Sequence, residues 1–251
     1  MVQAYAELIL QHWRELAHHL ILVLGGGSFG HKVVERFALH HGSSQAPVAD
    51  WTMLTLRIFE WKALFIEKLR ELGVPAYPFH MPSLICLDRT EVVSVHLDPI
   101  RDALRAGLLP VLTGDLILDR TLGYTLFSSD RVPEALVAGG LVARRVAFLA
   151  NCPGLLRVRD APETLVEEVT AENHHELRPQ AGASEFFDVT GGIGAKFDAL
   201  VRLARQGIEG LLTDGRDPPH AFRSLLTRER PAGTVFAPWP GPQPASAEGG
   251  A

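Results

Sequence analysis

The chain has 251 residues, 47% of them hydrophobic, with 24 lysines and arginines against 29 aspartates and glutamates and a formal charge of −5. That is enough apolar material for a large core in one domain or two closely joined lobes. The acidic balance and the lack of a lysine-arginine block argue against a nucleic-acid partner.

Only two cysteines occur, Cys86 and Cys152, far apart and without metal-ligand spacing. Neither a disulfide framework nor a metal site is expected, and both read as reduced, buried small hydrophobes. No apolar run approaches the roughly 18 residues of a membrane span, so the expectation is a cytoplasmic protein without a membrane partner.

From the amino end, Leu8, Trp13 and Leu16 recur at helical spacing and predict an amphipathic helix over residues 3–18. It feeds a buried strand over 20–24, a glycine turn, a short helix over 32–41 and a loop over 42–47. Leu54, Ile58, Trp61, Phe65, Leu69 and Leu72 fall on one face of a long helix over 51–72 that Gly73 ends. A strand over 74–79, a hairpin of 83–87 with 92–97, and a helix over 98–106 follow. Then come a buried strand over 108–112 and a second hairpin, 116–118 with 125–127. A helix, a strand over 146–150, a looser stretch to Ser184, a helix opening at Gly191 and a strand over 211–213 complete the core. Short apolar strands alternating with helices indicate an α/β sandwich whose ligands sit at strand C-terminal ends. The Pro-, Gly-, Ala- and Ser-rich tail over 238–251 reads as disordered.

The stretch Leu24-Gly25-Gly26-Gly27-Ser28-Phe29-Gly30-His31 joins a strand end, a bare-backbone turn and a helix start. Glycine permits close approach to the main chain, and the first helical amides point outward without partners, which makes a seat for phosphate, phosphonate or carboxylate. The formal Gly-x-Gly-x-x-Gly (Gly25, Gly27, Gly30) would suit a dinucleotide-dependent oxidoreductase, but no acidic residue closes a second strand about 20 residues on. A Walker loop is excluded by the absence of Gly-Lys-Ser/Thr. The remaining alternative is a turn without a ligand.

Four other points carry polar residues where a strand stops or a helix starts. Asp115, after Gly114, can orient a hydroxyl or a lysine, or simply cap its own backbone. Ser128, Ser129 and Asp130 either line a pocket or, through Ser129 or Asp130, cap the following helix. In Asp188-Val189-Thr190-Gly191-Gly192-Ile193-Gly194-Ala195-Lys196, Thr190 reads as a cap, and Lys196 falls early in a helix where the dipole disfavours a cation unless a phosphate is bound. His31 can donate to an anion at its helix start or face solvent.

Together these segments resemble the amino acid kinase superfamily over about residues 5–215. Gly25 to His31, Leu109 to Asp115, and Asp188 to Gly192 with Lys196 look like the isopentenyl phosphate kinase and fosfomycin resistance kinase branch. Phe127-Ser128-Ser129-Asp130-Arg131-Val132-Pro133-Glu134 is more like the fosfomycin kinase, because isopentenyl phosphate kinases usually carry Ser-Gly-Asp-Asp there. The resemblance implies a three-layer αβα sandwich with a largely parallel central sheet and hairpin insertions. It implies one domain over 1–237, with an acceptor part over about 1–145 and a nucleotide part over 146–237. The implied activity is transfer of the γ-phosphoryl of ATP, as its Mg2+ complex, to an oxygen of a small phosphate or phosphonate, by a homodimer.

By position, Gly26, Gly27 and His31 would hold the acceptor's anionic head, and Ser128, Ser129 and Asp130 would line its pocket. Gly25, Thr190, Gly191, Gly192 and Lys196 would meet the nucleotide. Lys196, His31 and Asp115 form the implied catalytic set, with Lys196 at the transferring phosphoryl and Asp115 in a polar network beneath it. The superfamily's opening strand, ending Lys-x-Gly-Gly-Ser, has no counterpart in residues 1–251, and its Thr-Asp-x-Asp-Gly reads here Leu149-Ala150-Asn151-Cys152-Pro153-Gly154. Lys32 and Arg131 are the nearest substitutes for the lysine. Losing a preorganised cation costs on the order of 10²-fold in rate. The alternative function is therefore a catalytically impaired or regulatory ligand-binding member of the same fold.

Overall fold

The computed structural model describes residues 2–37, 39, 47–158, 161–178, 192–226 and 231–239, without the side chains of Ser28, Phe29 and His31. The described residues fall into two units, one running to Val142 and the other starting at Ala143. Both are α/β. Among the described residues no helix is long and apolar enough to cross a membrane.

The first unit opens on α1 (Val2–Gln11) and α2 (Trp13–Leu16), which split the expected single helix at His12. Next come β1 (Leu22–Leu24), α3 (Gly27–Arg36) and α4 (Val48–Glu71). Leu54, Ile58, Phe65, Ile66 and Leu69 bury one stripe of α4, while Asp50 in its first turn and Lys68 and Arg70 in its last match the helix dipole. Then β2 (Ala76–Pro78), β5 (Leu109–Thr113) and β1 form a parallel sheet in the order β1-β5-β2. All five residues of β5 are buried, as the middle strand of a covered parallel sheet requires. Leu24 pairs with Thr113 and Pro78 with Val111, so the three C-terminal ends share one edge.

A second sheet, ordered β4-β3-β6-β7, is built from two hairpins: β3 (Ile85–Asp88) with β4 (Glu91–Val95), and β6 (Asp115–Asp119) with β7 (Gly123–Phe127). The two-residue turn of the first hairpin puts Arg89 and Thr90 at φ of 50° and 69°, where Asn-Gly is the usual choice. Asp119 compensates for this. Its carboxylate accepts the backbone N–H groups of Arg89 (3.0 Å), Thr90 (2.8 Å), Thr121 (3.0 Å) and Leu122 (2.9 Å) and the Thr125 hydroxyl (3.0 Å). Burial alone would raise this carboxyl, but the donors outweigh it and hold it well below the usual carboxylate range. The unit is completed by α5 (Asp98–Arg105) and α6 (Val132–Ala138), whose Ile100, Ala103, Ala135 and Leu136 join a core containing Leu87, Leu112 and Ile117.

The second unit contains β8 (Arg145–Ala150), β9 (Glu168–Val169), α7 (His174–Leu177), α8 (Gly192–Arg205), β10 (Glu209–Asp214), α9 (Pro218–Leu226) and β11 (Thr234–Phe236). Its sheet runs β8-β10-β11-β9, with β8 and β10 parallel over Glu209↔Arg145 to Asp214↔Ala150. Phe197, Leu200 and Leu203 of α8 are buried, as are Leu211, Leu212 and Phe236 of the sheet.

Besides the split at His12, three expectations change. The helix after the glycines starts at Gly27, five residues before the expected Lys32, because Gly26 is already helical and its carbonyl accepts the Gly30 N–H at 3.0 Å. Cys86 is exposed and Cys152 only half-buried, so neither is the buried hydrophobe expected. At the start of the tail, Trp239 is packed: its backbone N–H donates to the Ala204 carbonyl at 2.8 Å, and its ring lies 4.6 Å from His174 and 4.9 Å from the Arg205 guanidinium. Residues 240–251 lie outside the described residues.

Candidate active site

In the first unit the shared C-terminal edge of β1, β5 and β2 gathers Gly25, Gly114 and Phe79 with His80. Helix α3 begins there, and its geometry leaves the amides before Gly30 without intrahelical acceptors. The amides without an intrahelical acceptor are therefore those of Gly26 to Phe29, so His31, which the sequence placed with Gly26 and Gly27, lies past them on the helix. His31 lies on α3 and its side chain is outside the described set.

Helix α4 braces the turn from beneath. A Cβ on Gly26 or on Gly30 would meet Ile58 Cδ1 at 3.4 Å, and Trp61 Nε1 donates to the Gly25 carbonyl at 3.0 Å. Ser129 stitches the edge together by donating to the Leu24 carbonyl (2.8 Å) and accepting the Gly114 N–H (2.9 Å). The cap of the following 3-10 turn is Ser128, whose hydroxyl accepts the Asp130 N–H at 3.2 Å; the sequence reading had offered Ser129 or Asp130 for that role. Asp130 itself is buried. Of the two substitute cations, Arg131 donates to the Thr90 carbonyl at 2.9 Å and lies 4.7 Å from the Phe127 ring, while Lys32 is exposed on α3.

Asp115 is 4% exposed, and its Oδ1 accepts the Thr55 hydroxyl (2.8 Å) and the Leu116 N–H (2.7 Å). Its Oδ2 lies 3.5 Å from His80 Nδ1. Beside them is a residue that the sequence reading missed: Lys62, 1% exposed, whose ammonium donates to the Phe79 carbonyl. Burial lowers Lys62 to about 8 against the upward pull of Asp115, and burial together with the Lys62 charge lowers His80 to about 4. Burial pushes the Asp115 carboxyl up, opposed by Thr55, Leu116 and Lys62. The available signal was register: Lys62 falls four residues after Ile58 and four before Ile66, inside the apolar stripe.

In the second unit the C-terminal ends of β8 and β10 lie side by side. Arg216 makes a two-pronged ion pair with Asp214 (2.9 and 2.6 Å), holding that carboxyl below its usual range, and the Gly215 N–H donates to the Ala150 carbonyl at 2.7 Å. Burial pushes the Cys152 thiol up, which makes it a poor nucleophile; Asp214 adds to this, and Arg216 and Lys196 oppose it. Lys196, half-buried in the second turn of α8, thus shares this end of the unit with the Asn151–Gly154 loop. Gly192 opens α8 at φ 58°, while Thr190 and Gly191 lie outside the described residues.

A parallel sheet whose C-terminal edge carries a glycine turn and a helix start is an arrangement suited to small anions. The chain belongs to the amino acid kinase family, whose model matches residues 2–214. It is 23% identical over 210 residues to the isopentenyl phosphate kinase of Methanocaldococcus jannaschii, covering 82% of this chain and 77% of that one. With the isopentenyl phosphate kinase of Haloferax volcanii it shares 35% identity over 150 residues, 58% of each chain. A solved structure described as X-ray structures of isopentenyl phosphate kinase superposes with a TM-score of 0.74 at 20% identity, covering 94% of this chain and 90% of that one, a likeness of fold.

Proposed function

We propose that the chain is an ATP-dependent kinase that phosphorylates a small phosphate monoester of the isopentenyl phosphate kind. The observation that carries this reading is the edge where Gly26 to Phe29 offer helix-start amides, braced by Trp61 and Ile58 and stitched by Ser129. The match to two isopentenyl phosphate kinases supports the choice of acceptor.

In this reading Gly26 and Gly27 hold the acceptor's phosphate head, with His31 donating to it and Ser128, Ser129 and Asp130 lining the pocket. An acceptor oxygen attacks the γ-phosphorus, the bond to the β,γ-bridging oxygen breaks, and ADP leaves. The protein's part is alignment and neutralisation of charge on the equatorial oxygens, which falls to Lys196. Gly25, Thr190, Gly191 and Gly192 complete the nucleotide contacts. Among the described residues no group of three or more His, Cys, Asp or Glu converges on a metal position. In this reading the Mg2+ arrives with the nucleotide, bound to its phosphates. A cytoplasmic homodimer belongs to the same reading.

The stretch Phe127 to Glu134 favours a second acceptor class, a phosphonate such as fosfomycin. A coupled ADP-release assay with isopentenyl phosphate, fosfomycin and simple phosphonates separates these outcomes. Saturable release with isopentenyl phosphate above the ATP-only rate is the expected result. Release with the phosphonates alone transfers the reading to the second class. Binding without release with any acceptor overturns both, in favour of a non-catalytic member.

A further inference from the structure

Three of the four buried side-chain polar atoms without a hydrogen-bond partner among the described residues are His80 Nδ1, Thr113 Oγ1 and Asp115 Oδ2. All three sit at the C-terminal edge of the β1-β5-β2 sheet, where Thr113 ends β5, Asp115 begins β6 and His80 follows β2. Unpartnered buried polar atoms are rare, and each one costs stability. Two of the three face each other, His80 Nδ1 lying 3.5 Å from Asp115 Oδ2, and Thr113 stands on the same edge, so buried polar groups gather here beyond what packing requires.

Thr55, Phe59 and Lys62 stand at helical spacing on α4 and read directly onto this edge. Thr55 donates to Asp115, the Phe59 ring lies 4.5 Å from the His80 ring, and the Lys62 ammonium lies 5.0 Å from the Phe59 centroid while donating to the Phe79 carbonyl. The same helix supports the glycine turn through Ile58 and Trp61. Asp115 is a buried carboxyl in the lobe that receives an anionic acceptor, and a negative charge left there uncompensated would repel it. Lys62, buried on the same face of α4 as Thr55, is the cation whose charge acts on that carboxyl through space. Of the elements packed against α4, β6 presents Asp115, the end of β2 presents His80 and β5 presents Thr113; on α1 and α3, Glu7, Lys32, Glu35 and Arg36 are exposed.

We infer that Lys62 is a positioning residue for the acceptor: by neutralising Asp115 and holding the Phe79 carbonyl, it keeps the edge beside the glycine turn from repelling a phosphate or phosphonate head. This rests on the reading of Gly26 to Phe29 as the acceptor seat. Lys62→Met removes the positive charge from this edge and releases the Phe79 carbonyl, so the acceptor KM rises roughly three- to tenfold, the size of one unit charge acting across a few side chains. The ATP KM stays within about twofold, and Lys62→Arg, which keeps the charge, recovers part of the acceptor affinity.

The wild-type protein supplies a second readout that needs no variant. As pH rises through about 8, Lys62 loses its proton while His80 is already neutral, so the acceptor KM rises between about pH 7 and pH 9 and the ATP KM does not. Turnover by Lys62→Met with an unchanged acceptor KM, an equal rise in both KM values, or a flat wild-type acceptor KM over that range would overturn the inference. Absence of turnover by the wild type with every acceptor would overturn the proposed function instead, which keeps the two failures distinct.

Discussion

Lys196→Ala is expected to lower kcat by on the order of 10²- to 10³-fold while leaving the thermal midpoint within about 2 °C of wild type. The lysine stands in the second turn of α8, where the positive end of the helix dipole opposes a cation. In the proposed function the γ-phosphoryl group of the nucleotide is the anion that this cation meets during transfer. Removing the side chain relieves the dipole conflict, so folding tolerates the change. The transition state loses a preorganised charge, so catalysis does not. Measured by ADP release and by thermal melting of the same preparation, a kcat within about threefold of wild type would reject the role given to Lys196.

Gly114→Ala is the largest stability effect expected. A Cβ at this position would stand 2.3 Å from the Phe127 carbonyl oxygen, 2.4 Å from the Ser129 nitrogen and 2.7 Å from the Ser128 carbonyl carbon. All three are main-chain atoms, so no side chain can rotate away and the loop itself must shift. The shift would break the bond from the Gly114 N–H to Ser129 and disturb the Ser129 bond to Leu24 that ties β5 to β1. Overpacking of this kind costs roughly 2–4 kcal/mol. In urea denaturation the midpoint falls accordingly, and acceptor affinity falls with it in whatever fraction stays folded. A midpoint equal to wild type would mean that the close approach of Gly114 to the Ser128–Ser129 backbone is not a feature of the folded protein.

The elements legible in the sequence were those whose pattern had one explanation. Helix α4 was visible because apolar residues recur every three or four positions and Gly73 follows. The two hairpins were visible because short apolar strands flank polar turns. The start of α3 was not, because three successive glycines read as a turn although Gly26 already has helical angles and its carbonyl closes the first helical bond. The strands β9 and β11, of two and three residues, are too short to carry a period of their own.

At the candidate site the sequence pointed to the glycine turn, Asp115 and Ser129, because each follows a strand. It missed Lys62 and His80. Lysine is almost never buried, so one that replaces an apolar residue in a stripe is discounted, and only tertiary packing shows that the chain after β2 brings the Phe79 carbonyl to its ammonium. The sequence also could not show that the Ser129 hydroxyl binds two strand ends, since a serine before a helix is most simply read as a cap.

The proposed kinase activity depends most on the main chain at the start of α3 gripping a phosphate head. Amide resonances of 15N-labelled protein, followed while isopentenyl phosphate is added, test this directly. Saturable shifts at the amides of Gly26, Gly27 and Ser28, with an apparent Kd near the acceptor KM, are the predicted result; resonances there that stay fixed while turnover proceeds would contradict it.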